Sequence, residues 1–288
     1  MTILIGNEQK RVGLALSGGG FRAAAFHLGV FRKLHQLGLL WKLDLLTCVS
    51  GGSIAGAFLA SHWGEDDALD KLENYLRTSS IAVSSVIGGV LDPFHSRLDK
   101  LAATYERDLY GQRTLGSLKN GPRLYLNATN LATGNMFFFV TGGNGEAEMG
   151  EWELGTVSAP GFPLNRAVAA SSAFPPVFPP LKVERSEYPA AGVDYVTLSD
   201  GGVYDNLGVN PLFRKRNALD YLLVSDAGKP FSIDSTIGEA REGDAAFASA
   251  IGTNLSRLSA PEVAVLGRHA GALLTHRLQT YVPEILGN

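Results

Sequence analysis

The first 65 residues repeat one short pattern twice: an apolar run, a serine-glycine cluster, then apolar residues at helical spacing. Val12 to Leu16 precede Ser17-Gly18-Gly19-Gly20, after which Phe21, Ala25, Leu28, Phe31 and Leu34 mark one helix face. Leu45 to Ser50 precede Gly51-Gly52, and a second helix follows through Ile54 to Trp63. Short apolar strands alternating with helices cannot pair by tight hairpins. They imply parallel strands with crossover helices packed on the sheet. The expected fold class is therefore α/β, a three-layer arrangement of a mostly parallel central sheet with helices on both faces.

Later segments extend this picture. Arg123 to Leu131 and Met136 to Gly142 read as strands joined at Gly134-Asn135. Asn165 to Phe174 reads as a helix stopped by Pro175 and Pro176, and strands over 194–202 and 219–228 each end in aspartate followed by small residues. The last 50 or so residues look helical. With no internal repeat or low-complexity linker, residues 1–288 are expected to form one domain, 229–288 being its helical C-terminal part. Between two helical stretches, the apolar segment Ile81 to Phe94 suits a lid or membrane-contact element over about 79–94, or an ordinary buried helix.

Composition excludes several function classes. A net charge of −3 gives no basic footprint for nucleic acid. No apolar run reaches the roughly 18 to 20 residues of a spanning helix, and the N-terminal segment has no secretory-leader pattern. The lone Cys48 cannot form an internal disulfide, which fits a reducing compartment and a burial role. The expected location is cytoplasmic, at most peripheral at a membrane. No His, Asp or Glu cluster has metal-ligand spacing, so neither metal nor cofactor is expected.

Three places carry chemistry. Ser53 in Gly-Gly-Ser-Ile-Ala matches the nucleophile elbow G-x-S-x-G except for Ala55, with Gly51, Gly52 and Gly56 supplying the small neighbours that a tight strand-to-helix turn needs. Gly18, Gly19 and Gly20 would expose backbone N–H groups at a helix start, suited to an oxyanion or a phosphate. The nucleotide motifs G-x-G-x-x-G and G-x-x-x-x-G-K-[ST] do not fit this loop. Arg22 could meet a lipid phosphate or form a structural ion pair. None of the six histidines lies in a triad-like context. Asp200, at a strand end before Gly201-Gly202, is the candidate base, or else a turn cap; Asp205 and Asp226 look structural. Phe174 and Phe178 lie on a proline-stiffened apolar segment that could line an acyl channel or fill the core.

Taken in order, Ser-Gly-Gly-Gly-Phe-Arg-Ala (17–23), Ser-Gly-Gly-Ser-Ile-Ala-Gly (50–56), Asn-Ala-Thr-Asn-Leu-Ala-Thr-Gly (127–134), Ala-Ser-Ser-Ala-Phe-Pro-Pro-Val-Phe-Pro-Pro (170–180) and Asp-Gly-Gly-Val-Tyr-Asp-Asn-Leu-Gly (200–208) resemble the landmarks of the patatin-like phospholipase family. The resemblance implies a Ser-Asp dyad without histidine, here Ser53 and Asp200, acting on lipid acyl esters. It also implies an oxyanion hole from the N–H groups of Gly18, Gly19 and Ile54, with Gly20 in the same loop. Two positions depart from the family pattern: Ser17 stands where aspartate is common, and Ala55 where glycine is common. A carboxylesterase or thioesterase, or an inactive lipid-binding relative, would share most of these features.

Overall fold

The structure, a computed structural model, describes residues 3–5, 7–80, 96–190, 192–228, 241 and 243–287. The segment read as a lid or buried helix over about 79–94 lies almost wholly outside the described residues.

A parallel core is built from four strands, β3 (Val12–Leu16), β4 (Leu45–Val49), β5 (Arg123–Asn130) and β11 (Tyr221–Ser225), in the spatial order β11-β3-β4-β5. The β3 and β4 residues are all buried, as expected of strands covered on both faces. Antiparallel strands β6 (Met136–Thr141), β7 (Glu148–Glu151) and β8 (Gly155–Ser158) continue the sheet beyond β5. A separate hairpin pairs β1 (Ile3–Ile5) with β2 (Glu8–Lys10).

Side-chain alternation divides the core. Leu14, Leu16, Leu124, Leu126, Phe137 and Phe139 face the larger cluster, under helices α1 (Gly20–Gln36), α2 (Gly51–Ser61), α3 (Ala68–Thr78), α4 (Arg97–Tyr105) and α5 (Leu164–Ser171). Ala15, Tyr125, Phe138 and Val140 face a smaller cluster closed by Leu212 and short 3-10 turns over 210–217. The mostly parallel central sheet thus has helices packed around it, and among the described residues the smaller cluster is closed by 3-10 turns.

Two strands complete the site. β9 (Leu181–Glu184) and β10 (Tyr195–Asp200) pair with each other, and β10 pairs with β5 antiparallel. Apolar periodicity locates a strand but does not give its direction, and the strand that ends in Asp200 runs antiparallel to its neighbour β5. β4 covers β5 from Arg123 to Asn127, ending with Val49 opposite Asn127, and β10 takes over the same edge with Asp200 opposite Ala128. Two strands running in opposite directions therefore end against each other, bringing the turn after β4 and the turn after β10 face to face. The short helix α6 (Gly202–Asp205) follows β10, and α7 (Asp244–Ala250) and α8 (Ala260–Tyr281) form the C-terminal helical part. There α8 lies on α1 so closely that a Cβ on Gly29 would stand 2.5 Å from the Gly267 Cα.

Candidate active site

A cavity of about 630 Å³ opens where these turns meet, a size suited to a small ligand. Ser50, Asp200, the glycine loop, Arg22, Phe174 and Phe178 line it. Ser53 does not.

The elbow is one turn of chain earlier than the motif match suggests. Ser50 has φ 51° and ψ −116°, outside even the left-handed helical region, and it sits between the end of β4 and the start of α2. Such a conformation costs a non-glycine residue on the order of 1–3 kcal/mol, and the surrounding structure must hold it. Ser171 supplies part of that hold, accepting a hydrogen bond from the Ser50 N–H at 3.1 Å. The Ser50 hydroxyl does not cap α2, which leaves it available to the cavity.

Ser53 lies one helical turn further on and is fully buried. Its hydroxyl is 2.7 Å from Ser171 Oγ, and Ser171 spends its single proton on the Asn127 carbonyl at 2.6 Å. Ser53 must therefore donate to Ser171. The hydroxyl expected to be the nucleophile is instead committed behind the elbow, so the geometry moves that expectation from Ser53 to Ser50. The sequence signal that could have found it is positional: an elbow serine ends the strand, and Ser50 is the serine that closes Leu45–Val49 and precedes two glycines.

The glycines around the elbow are set by close approach. A Cβ on Gly51 would strike the Gly20 carbonyl, and one on Gly52 would stand 2.8 Å from the Ser17 carbonyl oxygen. The elbow and the glycine loop therefore touch through bare backbone. In that loop Gly19 and Gly20 take φ 135° and 61°.

Among the expected oxyanion donors, the structure separates free from spent N–H groups. Gly18 donates to the Asn206 carbonyl at 3.0 Å and Ile54 to the Ser50 carbonyl at 3.2 Å, so neither can face a ligand. The N–H groups of Gly19, Gly20 and Gly51 have no acceptor among the described residues. Gly20 and Gly51 begin α1 and α2, whose first turns carry no acidic side chain, so two positive helix ends converge on the cavity.

Asp200 is 3% exposed, and burial pushes its pKa up to about 6. A contribution from Ser50 and the Gly202 N–H, which donates to Oδ1 at 2.8 Å, offsets part of that rise. Oδ2 has no hydrogen-bond partner among the described residues, which leaves an acceptor ready. Backbone bonds hold the strand end: Asp200 N–H donates to the Ala173 carbonyl at 3.2 Å, and Thr129 Oγ1 donates to the Asp200 carbonyl at 2.8 Å. Asp205 instead accepts from the N–H groups of Leu207 and Val209, and Asp226 from Gly228, each ordering its own turn.

Arg22 is 8% exposed, and its guanidinium donates to the carbonyls of Ile251 at 3.2 Å and Ala227 at 3.0 Å. Its Nε has no partner, and no carboxylate pairs with it among the described residues. Phe178 is buried in the cavity wall, whereas Phe174 is 58% exposed at the cavity. No described histidine lines the cavity; His27 is fully buried, its pKa pushed down to about 4 by desolvation. Cys48 is a buried free thiol, its pKa raised by burial. Among the described residues no three His, Cys, Asp or Glu side chains are grouped to hold a metal, and no helix is long and apolar enough to cross a membrane.

The family model of patatin-like phospholipases matches residues 14–213, more than half of the chain and every element that builds the cavity except the segment after β11. The chain belongs to the patatin-like phospholipase family. No curated protein matches it. Among solved structures, human GIVD cytosolic phospholipase A2 aligns over 96% of this chain and 62% of its own, at 13% identity and a TM-score of 0.65. The same human protein in complex with methyl gamma-linolenyl fluorophosphonate aligns over 96% of this chain and 58% of its own, at 14% identity and a TM-score of 0.58. At such identity the likeness is one of fold, and the chain spans about three-fifths of the length of those structures.

Proposed function

We propose that the chain is a lipid acyl hydrolase in which Ser50 is the nucleophile and Asp200 its base. The observation that carries this reading is the meeting of β4 and β10 along one edge of β5, which turns a strained serine and a buried carboxylate toward one cavity. Family membership supports the same reading.

In the acylation step, Asp200 Oδ2 takes the Ser50 hydroxyl proton as Oγ attacks the ester carbonyl carbon. Negative charge develops on the former carbonyl oxygen, where the N–H groups of Gly19, Gly20 and Gly51 can stabilise it. Collapse expels the alcohol, which leaves with the proton from Asp200. Water then attacks the acyl-enzyme as Asp200 takes its proton, and collapse frees the acid while that proton passes from Asp200 back to Ser50 Oγ. A carboxyl pKa near 6 suits this work, since the group is ionised at neutral pH yet more basic than an exposed aspartate. Phe174 and Phe178 offer apolar wall to the acyl chain. Arg22 lines the cavity with no carboxylate partner among the described residues, and its positive charge favours a phosphate-bearing ester over a neutral one.

The test compares p-nitrophenyl esters of graded chain length with phospholipid vesicles, using wild type, Ser50→Ala, Ser53→Ala and Asp200→Asn. Release of fatty acid from vesicles, rising ester turnover with chain length, and loss of both in Ser50→Ala and Asp200→Asn are expected. Preference for short soluble esters or thioesters would make the chain a carboxylesterase or thioesterase. A folded wild type that hydrolyses none of these and is not labelled by a fluorophosphonate would point to an inactive lipid-binding relative.

A further inference from the structure

We propose that His27 is a positioning residue for the glycine loop, its ring holding the Ser17-Gly18 peptide in the orientation that turns the next two N–H groups into the cavity. The inference rests on the hydrolase reading above for its kinetic consequence, but not for the hydrogen bonds it describes.

His27 sits on α1, two turns beyond the loop, and its ring spans from the end of β3 to the end of β11. Nε2 lies 2.9 Å from the Ser17 carbonyl oxygen and Nδ1 lies 2.8 Å from Ser225 Oγ. A carbonyl can only accept, so Nε2 must carry the hydrogen. In a fully buried, neutral ring Nδ1 is then an acceptor, and Ser225 Oγ–H donates to it. Both partners therefore specify one tautomer.

The consequence lies in the peptide unit that the ring grips. Its carbonyl end, Ser17 O, accepts from the His27 Nε2–H, and its N–H end, Gly18 N, donates to the Asn206 carbonyl at 3.0 Å. With both ends bonded the peptide plane cannot rotate, and the N–H groups of Gly19 and Gly20 are the next to emerge from it. Ser17 Oγ adds a third tie by accepting from the Ala227 N–H at 2.8 Å, and the Ala227 carbonyl accepts from Arg22. Two α1 side chains, His27 and Arg22, thus fasten the loop and the chain after β11 to one helix. Because His27 does not line the cavity, it acts through the backbone and touches no substrate.

The decisive pair of variants is His27→Phe, which keeps the ring volume and removes both nitrogens, and His27→Gln, whose amide can still donate to Ser17. Hydrolysis of p-nitrophenyl butyrate by His27→Phe should lose kcat by roughly ten- to a hundredfold with KM within about twofold, because donors misplaced by a fraction of an ångström stabilise the oxyanion poorly. His27→Gln should recover most of that loss. A folded His27→Phe with wild-type kcat overturns the proposal, as does an equal fall in both variants that tracks their melting temperatures. If His27→Phe does not fold, the ring's nitrogen-15 shifts in wild type at pH 7, identified as the signals missing from His27→Gln, decide the matter. An Nε2–H tautomer supports the tie to Ser17 and an Nδ1–H tautomer removes it. The tautomer needs no turnover, so a wild type that hydrolyses no ester would count against the hydrolase reading alone.

Discussion

The turns after β3 and β4 lie side by side on adjacent parallel strands, and each leads through glycines into a buried helix, yet they are built for opposite tasks. After β3 the positive φ angles fall on Gly19 and Gly20, while Ser17 is wholly buried and its hydroxyl serves the Ala227 N–H. After β4 the positive φ falls on Ser50 itself, and the glycines that follow are needed because Gly51 and Gly52 press against the first turn. The first turn presents backbone donors and hides its serine; the second strains its serine so that a hydroxyl stands in the cavity. Glycine in one place supplies conformational freedom, and in the other only the absence of a side chain.

The sharpest way to break this contrast is to remove each hydroxyl in turn. Ser50→Ala should lower kcat for p-nitrophenyl esters on the order of a thousandfold or more, with the protein still folded, because the covalent route is lost. Ser17→Ala should instead cost roughly 1–3 kcal/mol of stability by leaving the buried Ala227 N–H unpaired. Thermal melts beside the kinetics separate the two, and a stable, active Ser50→Ala would dissolve the distinction between the turns.

The contact between the turns makes a second test. Gly51→Ala would push a methyl group into the Gly20 carbonyl, displacing the glycine loop and Ser50 together. A loss of roughly a hundredfold in kcat is expected, since small displacements of this kind are costly. Gly161→Ala, where the added methyl would meet open space, should leave both activity and melting temperature unchanged.

Asp200 sharpens the comparison through pH. Its carboxyl is about 6 in the folded chain and 3.8 as the unperturbed group, so the folded state holds its proton more tightly. Stability therefore falls as pH rises from about 4 to about 6, then levels off with the carboxylate costing up to about 3 kcal/mol. Asp200→Asn should abolish turnover yet raise stability at pH 7 by about 1–3 kcal/mol, a gain that vanishes near pH 4. Denaturant titrations at both pH values read this directly, and an equal gain at both would place the stabilisation somewhere other than the charge. Wild-type kcat/KM should rise through an apparent pKa near 6.

Much of this arrangement was legible in the sequence, and the parts that were not share a cause. The parallel strands and their helices announced themselves because buried strands are uniformly apolar and α1 repeats at helical spacing. The strands β7 and β8 did not, since Glu148–Glu151 and Gly155–Ser158 mix polar and small residues around Gly150 and Gly155, both at positive φ. The direction of β10 was invisible because alternation is the same read either way. The motif match picks out Ser53 because a five-residue pattern weighs neighbours but not the point at which the strand ends, immediately before Ser50. Likewise, Gly18 and Ile54 are the right residue types in the right loops, and only a count of hydrogen bonds shows that their N–H groups are spent.

The smallest expected effect tests the elbow from behind. Ser53→Ala removes a buried hydroxyl that donates to Ser171, but Ser171 still accepts from the Ser50 N–H and donates to the Asn127 carbonyl. No buried donor is orphaned, so the cost should be about 1 kcal/mol in stability and at most a few-fold in kcat. Ser171→Ala differs in kind, for it strands the Ser50 N–H and the Ser53 hydroxyl together, and it should cost more in both measures. If Ser53→Ala were inactive while Ser50→Ala retained turnover, the reacting serine would be the one inside the helix. The strained backbone at Ser50 would then be left holding nothing but a turn.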